Sequence, residues 1–142
     1  MATITATINV TSDILSYPIT INKEMTMSKS ANPSVGLEET TGLRTKKFTA
    51  TTAAVIVEHD ELTDDMAHKV YIRNASTSKA NFFYVAYNAS AAGATTAETI
   101  GKLYGGDWML IPWNATAATS HDVHVGASTE DTMTLEYMAF VE

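Results

Sequence analysis

No cysteine occurs among the 142 residues, so neither a disulfide nor a thiolate metal site can hold this chain together. Its stability has to come from packing, to which partner subunits can add. Basic residues are scarce too: nine stand against sixteen acidic ones, a formal charge of −7. That sign disfavours phosphate backbones, and nucleic acid is not expected as a partner. The basic run RTKK, residues 44–47, reads as a solvated loop. No segment reaches the roughly 18 consecutive apolar residues of a membrane-spanning helix. The opening MATITATINV lacks both the basic start and the apolar stretch of a secretory signal. A soluble chain without a membrane partner is expected. No 10 to 15-residue amphipathic helix separates the apolar runs, which excludes a βαβ rhythm.

Alternation with period two dominates instead. In TITATINV, Ile4, Ala6, Ile8 and Val10 fall on one face, while Thr5, Thr7 and Asn9 fall on the other. The β-branched threonines favour extended backbone as well. A second run starts near Ile19, just after Pro18, and includes Ile21, Met25 and Met27. Residues 28–42, SKSANPSVGLEETTG, carry turn formers without a stripe and predict a long loop or arm. A connection of that length suggests an interaction role. Extended structure resumes in KFTATTAAVIVEH, with Val55 and Val57 facing one layer and Ile56 the other. LTDDMAHK is compatible with one short helical turn, capped by Thr63. KVYIRN and NFFYVAYNA follow; the latter is apolar on both faces and belongs in the middle of a sheet or against another subunit. TIGKLY, DWMLIPW, HDVHV and TMTLEYMAFV complete the series. The pattern predicts an all-β fold, an antiparallel β-sandwich of jelly-roll-like or Ig-like type with an extended N-terminal strand or arm. Residues 1–142 read as one domain.

The stretch KLYGGDWMLIPWNA holds both tryptophans. Gly105 and Gly106 predict a tight hairpin turn, with Asp107 capping it. Beyond it, Trp108 and Leu110 fall on one face and Met109, Ile111 and Trp113 on the other, so the two tryptophans form no single platform. Pro112 lacks an amide donor and marks an edge, a bulge or a strand end.

Motifs for chemistry are absent. The acidic EHDELTDD, residues 58–65, lacks the spacing and glycine of a calcium loop and reads as a solvated surface. His121 and His124 are an odd number apart and point to opposite faces of a regular strand. There is no Gly-x-Ser-x-Gly elbow and no glycine-rich phosphate loop. The residues point to no enzyme, no cofactor and no metal. Glycosylation patterns at Asn9, Asn74, Asn88 and Asn114 read as turn and strand-end chemistry.

From residue 69 to 142, the series KVYIRNAS, NFFYVAYN, ETIGKLYGGDWMLIPWNA and TLEYMAFVE resembles small structural proteins of tailed bacteriophages. The likeness lies in Val70, Tyr71, Ile72, Arg73 and Asn74, in Ile100 and Leu103, and in Gly105, Gly106, Asp107, Trp108, Ile111 and Pro112. It departs where Gly105 stands for the usual proline and Asp107 for the usual glutamate. The resemblance implies a virion component: a capsid decoration or cement protein, a tail or fibre component, or a head-tail adaptor. On the decoration reading, the chain is made in the host cytoplasm, sits on the outer surface of the phage head, and bridges subunits of the major capsid protein, with a homotrimer expected. Phe82, Phe83, Tyr84 and Trp113 are then interface candidates. Ile4, Ile8 and the arm residues Asn32, Pro33, Val35 and Leu37 are the capsid-facing ones. The competing reading is a receptor- or glycan-binding module using Trp108, Tyr104 or Tyr87 against sugar rings.

Overall fold

The computed structural model describes residues 3–13, 19–28, 37–63, 66, 68–87, 99–115 and 121–141. The described chain is all-β and antiparallel, with no helix. It divides into two compact units, Met1–Glu38 with Glu142 and Glu39–Val141.

In the first unit, β1 (Thr3–Ser12) and β2 (Ile19–Ser28) form a ribbon of ten paired positions. Most partners are of like kind: Ala6 opposes Met25 and Val10 opposes Ile21, while Thr5 opposes Thr26 and Asn9 opposes Asn22; Ile8 is the exception, opposing Lys23. One face is therefore mainly aliphatic, with Lys23 beside Ile8, and the other polar. The Thr5 and Thr26 hydroxyls lie 3.3 Å apart across the polar face.

The second unit is a β-sandwich. One sheet runs in the order β5 (Ala54–Val57), β10 (Val123–Ala127), β7 (Phe82–Tyr87), β8 (Thr99–Tyr104). The other runs β3 (Glu39–Thr40), β11 (Met133–Val141), β6 (His68–Asn74), β9 (Trp108–Trp113), with β4 (Arg44–Phe48) also on β11. The chain changes sheet at most connections, and among the described residues β7–β8 is the only pair of consecutive strands in this unit that hydrogen-bond to each other. Alternation places Val70 and Ile72 of β6, Leu135 of β11, Phe83 and Val85 of β7 and Val125 of β10 between the layers, all fully buried. The Phe48 and Phe83 rings meet edge to face at 5.1 Å, one from each sheet.

Several sequence expectations change for identifiable reasons. The Gly105–Gly106 turn joins β8 of one sheet to β9 of the other, so it is a corner between layers and not a hairpin. Gly106 has φ 90°, as a turn glycine does, and Asp107 caps the corner by accepting the Tyr104 amide at 3.0 Å. Gly105 is required for a different reason: a Cβ there would sit 2.3 Å from the Ser78 carbonyl oxygen. KFTATTAAVIVEH is two strands, β4 and β5, in opposite sheets. Ile56 and Val57 both reach the core, because a register shift opposite Val123 and His124 breaks the alternation. RTKK lies in edge strand β4 and not in a loop; Arg44 pairs with Glu61, and the Lys46 ammonium reaches the Val55 carbonyl at 3.0 Å. Of the expected 28–42 loop, β2 takes Ser28, β3 takes residues 39–40, and residues 29–36 lie outside the described residues. The helical turn after Thr63 falls partly on residues 64, 65 and 67, also outside them. Pro112 lies in β9, at the edge of its sheet.

One buried residue ties the corner together. Asn74, fully buried at the end of β6, donates its side-chain amide to the Leu103 carbonyl at 2.9 Å and accepts the Ser76 amide on Oδ1 at 3.0 Å. Its backbone carbonyl accepts from Gly106 at 2.9 Å, and its backbone amide donates to Asp107 at 3.0 Å. Strand-end chemistry is thus the role of this asparagine.

Candidate interaction surface

On β7 the inward set is Phe83 and Val85, which leaves Phe82, Tyr84 and Ala86 on the outer face. Antiparallel pairing brings Tyr104 of β8 opposite Phe82, and Lys102 opposite Tyr84. The Phe82 ring packs edge to face on Tyr84 at 4.8 Å and tilted on Tyr104 at 5.1 Å. The Lys102 ammonium stands 4.6 Å from the Phe82 centroid and 5.4 Å from that of Tyr84. Ring quadrupoles attract that cation, each contact contributing about 0.5–1 kcal/mol at such exposure. Among the described residues no carboxylate lies within ion-pair distance of Lys102. An acidic chain therefore presents here a patch that is aromatic, half-buried and locally positive.

The outer face of the other sheet carries a second apolar surface. Trp108 is 49% exposed and lies 6.5 Å from Tyr71 at an interplanar angle of 37°. Leu110 and Met138, half-buried, flank Tyr71 by register, and Arg73 pairs with Glu136 at 3.1 Å beside them.

The sequence-predicted interface residues separate into groups. Phe82 and Tyr84 lie on the outer aromatic patch. Phe83 is fully buried and Trp113 is 4% exposed, so neither ring is available to a partner. A strand apolar on both faces gives no periodicity to say which face is inside. Trp113 donates its indole N–H to the His121 carbonyl at 2.7 Å and lies against His68, centroids 5.4 Å apart. Ile8 is exposed and Ile4 half-buried on the aliphatic face of the ribbon, whereas Leu37 is buried. Asn32, Pro33 and Val35 lie outside the described residues. The proposed sugar-binding aromatics do not converge: Trp108 belongs to one sheet's outer face, Tyr104 to the other's, and Tyr87 is half-buried with its hydroxyl donated to the Pro112 carbonyl at 2.8 Å.

Lys102 is not among the residues singled out from the sequence, and Tyr104 is singled out there only as a sugar-binding candidate. Their alternation around buried Leu103 is legible in TIGKLY, but only the β7–β8 register brings them to Phe82 and Tyr84.

No family model, curated protein or solved structure matches the chain.

Two histidines meet at Asp122. Its Oδ1 accepts both the His59 backbone amide at 2.9 Å and the ring Nδ1–H at 2.7 Å, and His124 Nε2 lies 4.0 Å from Oδ2. Burial pushes the Asp122 carboxyl up, but the His59 hydrogen bonds and the charge of the two histidines outweigh it and hold it below its ordinary value. Burial also draws His124 below the usual imidazole range, partly offset by Asp122. The described residues contain no group of three or more ligands placed to hold a metal ion. A cleft of about 270 Å³ lies between Tyr87, Trp113, Asn114 and His121. Burial raises the Tyr87 pKa, so the phenol stays protonated there.

Proposed function

We propose that this chain is a non-enzymatic structural protein of a tailed-bacteriophage particle, a head decoration or cement protein that binds and stabilises the shell formed by the major capsid protein. The observation that carries this reading is the aromatic patch on the outer face of β7 and β8, crowned by Lys102. The Phe82 ring, with Tyr84 and Tyr104 both within 5.1 Å of it, offers apolar area, and the lysine supplies attraction toward an acidic neighbour. The phage-like series of residues 69–142 supplies the context. Within it Asn74, Gly105, Gly106 and Asp107 build the corner that supports β8. The acidic balance keeps such a protein away from packaged DNA.

The test adds purified chain to heads that lack it, followed by cosedimentation and electron microscopy. Expected is density on the outer surface of the head, and a loss of affinity of tenfold or more in Lys102→Glu and Tyr84→Ala. Density at the neck instead would make the chain a head-tail adaptor, and no density on the particle would remove the reading. The exposed, tilted Trp108–Tyr71 pair favours a second reading, a glycan-binding module of a tail or fibre. Saturable binding on a glycan array, lost in Trp108→Ala, would establish it.

A further inference from the structure

Edge strands of the sandwich are defended against pairing with another chain. β4 carries Arg44, Lys46 and Lys47, β8 carries Lys102 and β9 carries Pro112, while β3 and β5 are only 2 and 4 residues long and β5 is broken by a register shift. β1 is different. Its ten residues, TITATINVTS, contain no charge, no proline and no glycine, and among the described residues it pairs with β2 alone. A two-stranded ribbon is marginal in water by itself, yet here its aliphatic face leaves Ile8, Val10 and Ile21 more than 40% exposed.

β1 is also complementary to itself. Laid antiparallel against a second β1 about a two-fold axis at Thr7, it sets Ile4 opposite Val10, Ala6 opposite Ile8 and Thr5 opposite Asn9. The four aliphatic residues of β1 then fall on one face and Thr3, Thr5, Thr7, Asn9 and Thr11 on the other, with no charge in the β1–β1 seam itself; Lys23 flanks Ile8 from the β2 side. The far edges of such a sheet are the two β2 strands, which carry Lys23 and Glu24 and so close the assembly instead of propagating it. Net charge favours the same route. Residues 1–38 hold two basic groups (Lys23, Lys29) against three acidic (Asp13, Glu24, Glu38), so almost all of the −7 lies in the rest of the chain. Copies meet at the ribbon with the least repulsion.

We infer that β1 is a homotypic docking strand, and that two copies of this chain join their ribbons across Thr7 into one continuous four-stranded sheet. This stands on the ribbon alone, whether or not the chain belongs to a phage particle, and it gives two-fold symmetry where the phage resemblance implies a trimer.

The absence of cysteine makes the test direct. Directly opposed residues of an antiparallel pair have Cα atoms about 4.5–5.5 Å apart, within the range a disulfide spans. Full-length Thr7→Cys, oxidised under mild conditions, is expected to give a covalent dimer in most of the chain, whereas Thr20→Cys on β2 forms no inter-chain disulfide. Sedimentation of the unmodified chain should show a dimer, and Thr7→Lys should convert it to monomer with unchanged circular dichroism. Mixing Thr7→Lys with Thr7→Glu should restore the dimer, which a misfolded variant would not do. A monomeric parent chain, an oligomer indifferent to Thr7→Lys, or a ribbon that engages only phage heads would each overturn the inference.

Discussion

β1 and β11 are written in the same alternating style and end in different company. In β11 the apolar positions Met133, Leu135, Tyr137 and Ala139 are all buried, while in β1 Ile8 and Val10 remain 41% and 45% exposed. β11 lies in a layer covered by a second sheet, and β1 belongs to a ribbon of only two strands. Alternation assigns residues to faces; burial needs a layer to cover one of them. The ribbon thus retains an adhesive face that the sandwich has already used up internally.

The largest expected effect lies in the sandwich core. Phe83→Ala removes a fully buried ring packed on Phe48 and should cost about 3–5 kcal/mol in urea unfolding. The buried asparagine comes next. Asn74→Ala leaves the Leu103 carbonyl and the Ser76 amide without their partner and should cost about 2–4 kcal/mol. Gly105→Ala presses a methyl onto the Ser78 carbonyl oxygen and should cost about 1–3 kcal/mol.

Acidification should weaken the sandwich in two steps. The His124 pKa lies below its ordinary 6.5 in the folded chain, so the unfolded chain takes up the proton first. Its contribution is complete above that value and is lost as pH falls through the lowered one. Asp122 acts in the same direction but far lower, its contribution disappearing only as pH drops through a folded pKa beneath 3.8. Urea midpoints measured from neutral to acid pH should decline, and His124→Gln should flatten the first decline.

The smallest effect belongs to the ribbon: Val10→Thr, at a half-exposed site, should change stability by no more than about 0.5 kcal/mol. Amide exchange should separate the two regions as well, β1 and β2 exchanging faster than β6 and β11 in dilute protein. If Val10→Thr cost as much as Phe83→Ala, the contrast between the regions would be wrong.

Much of the fold is legible in local chemistry. β6 and β11 follow from alternation in KVYIRN and TMTLEYMAFV, β7 from the aromatic run NFFYVAY, and the opposite facing of Trp113 and Trp108 from their odd spacing, though not which of them is inside. The candidate patch is half legible: Phe82 and Tyr84 stand out as aromatics, but their companions Tyr104 and Lys102 are joined to them by strand register. Phe83 could not be told from Phe82, because a strand apolar on both sides has no polar face to mark the outside. The Gly105–Gly106 turn was placed correctly along the chain and given the wrong partners, since a turn's φ angles do not say which sheet each flanking strand will join.

By itself the sequence determined that this chain would be extended, free of sulfur cross-links and acidic, with two chemically distinct faces on most strands. Those properties come from side chains and their nearest neighbours. Only the tertiary structure decided which strands pair, which apolar face is interior and which aromatics share a surface. Those choices are made by segments far apart in the chain, where the gain from packing one layer on another outweighs any local preference.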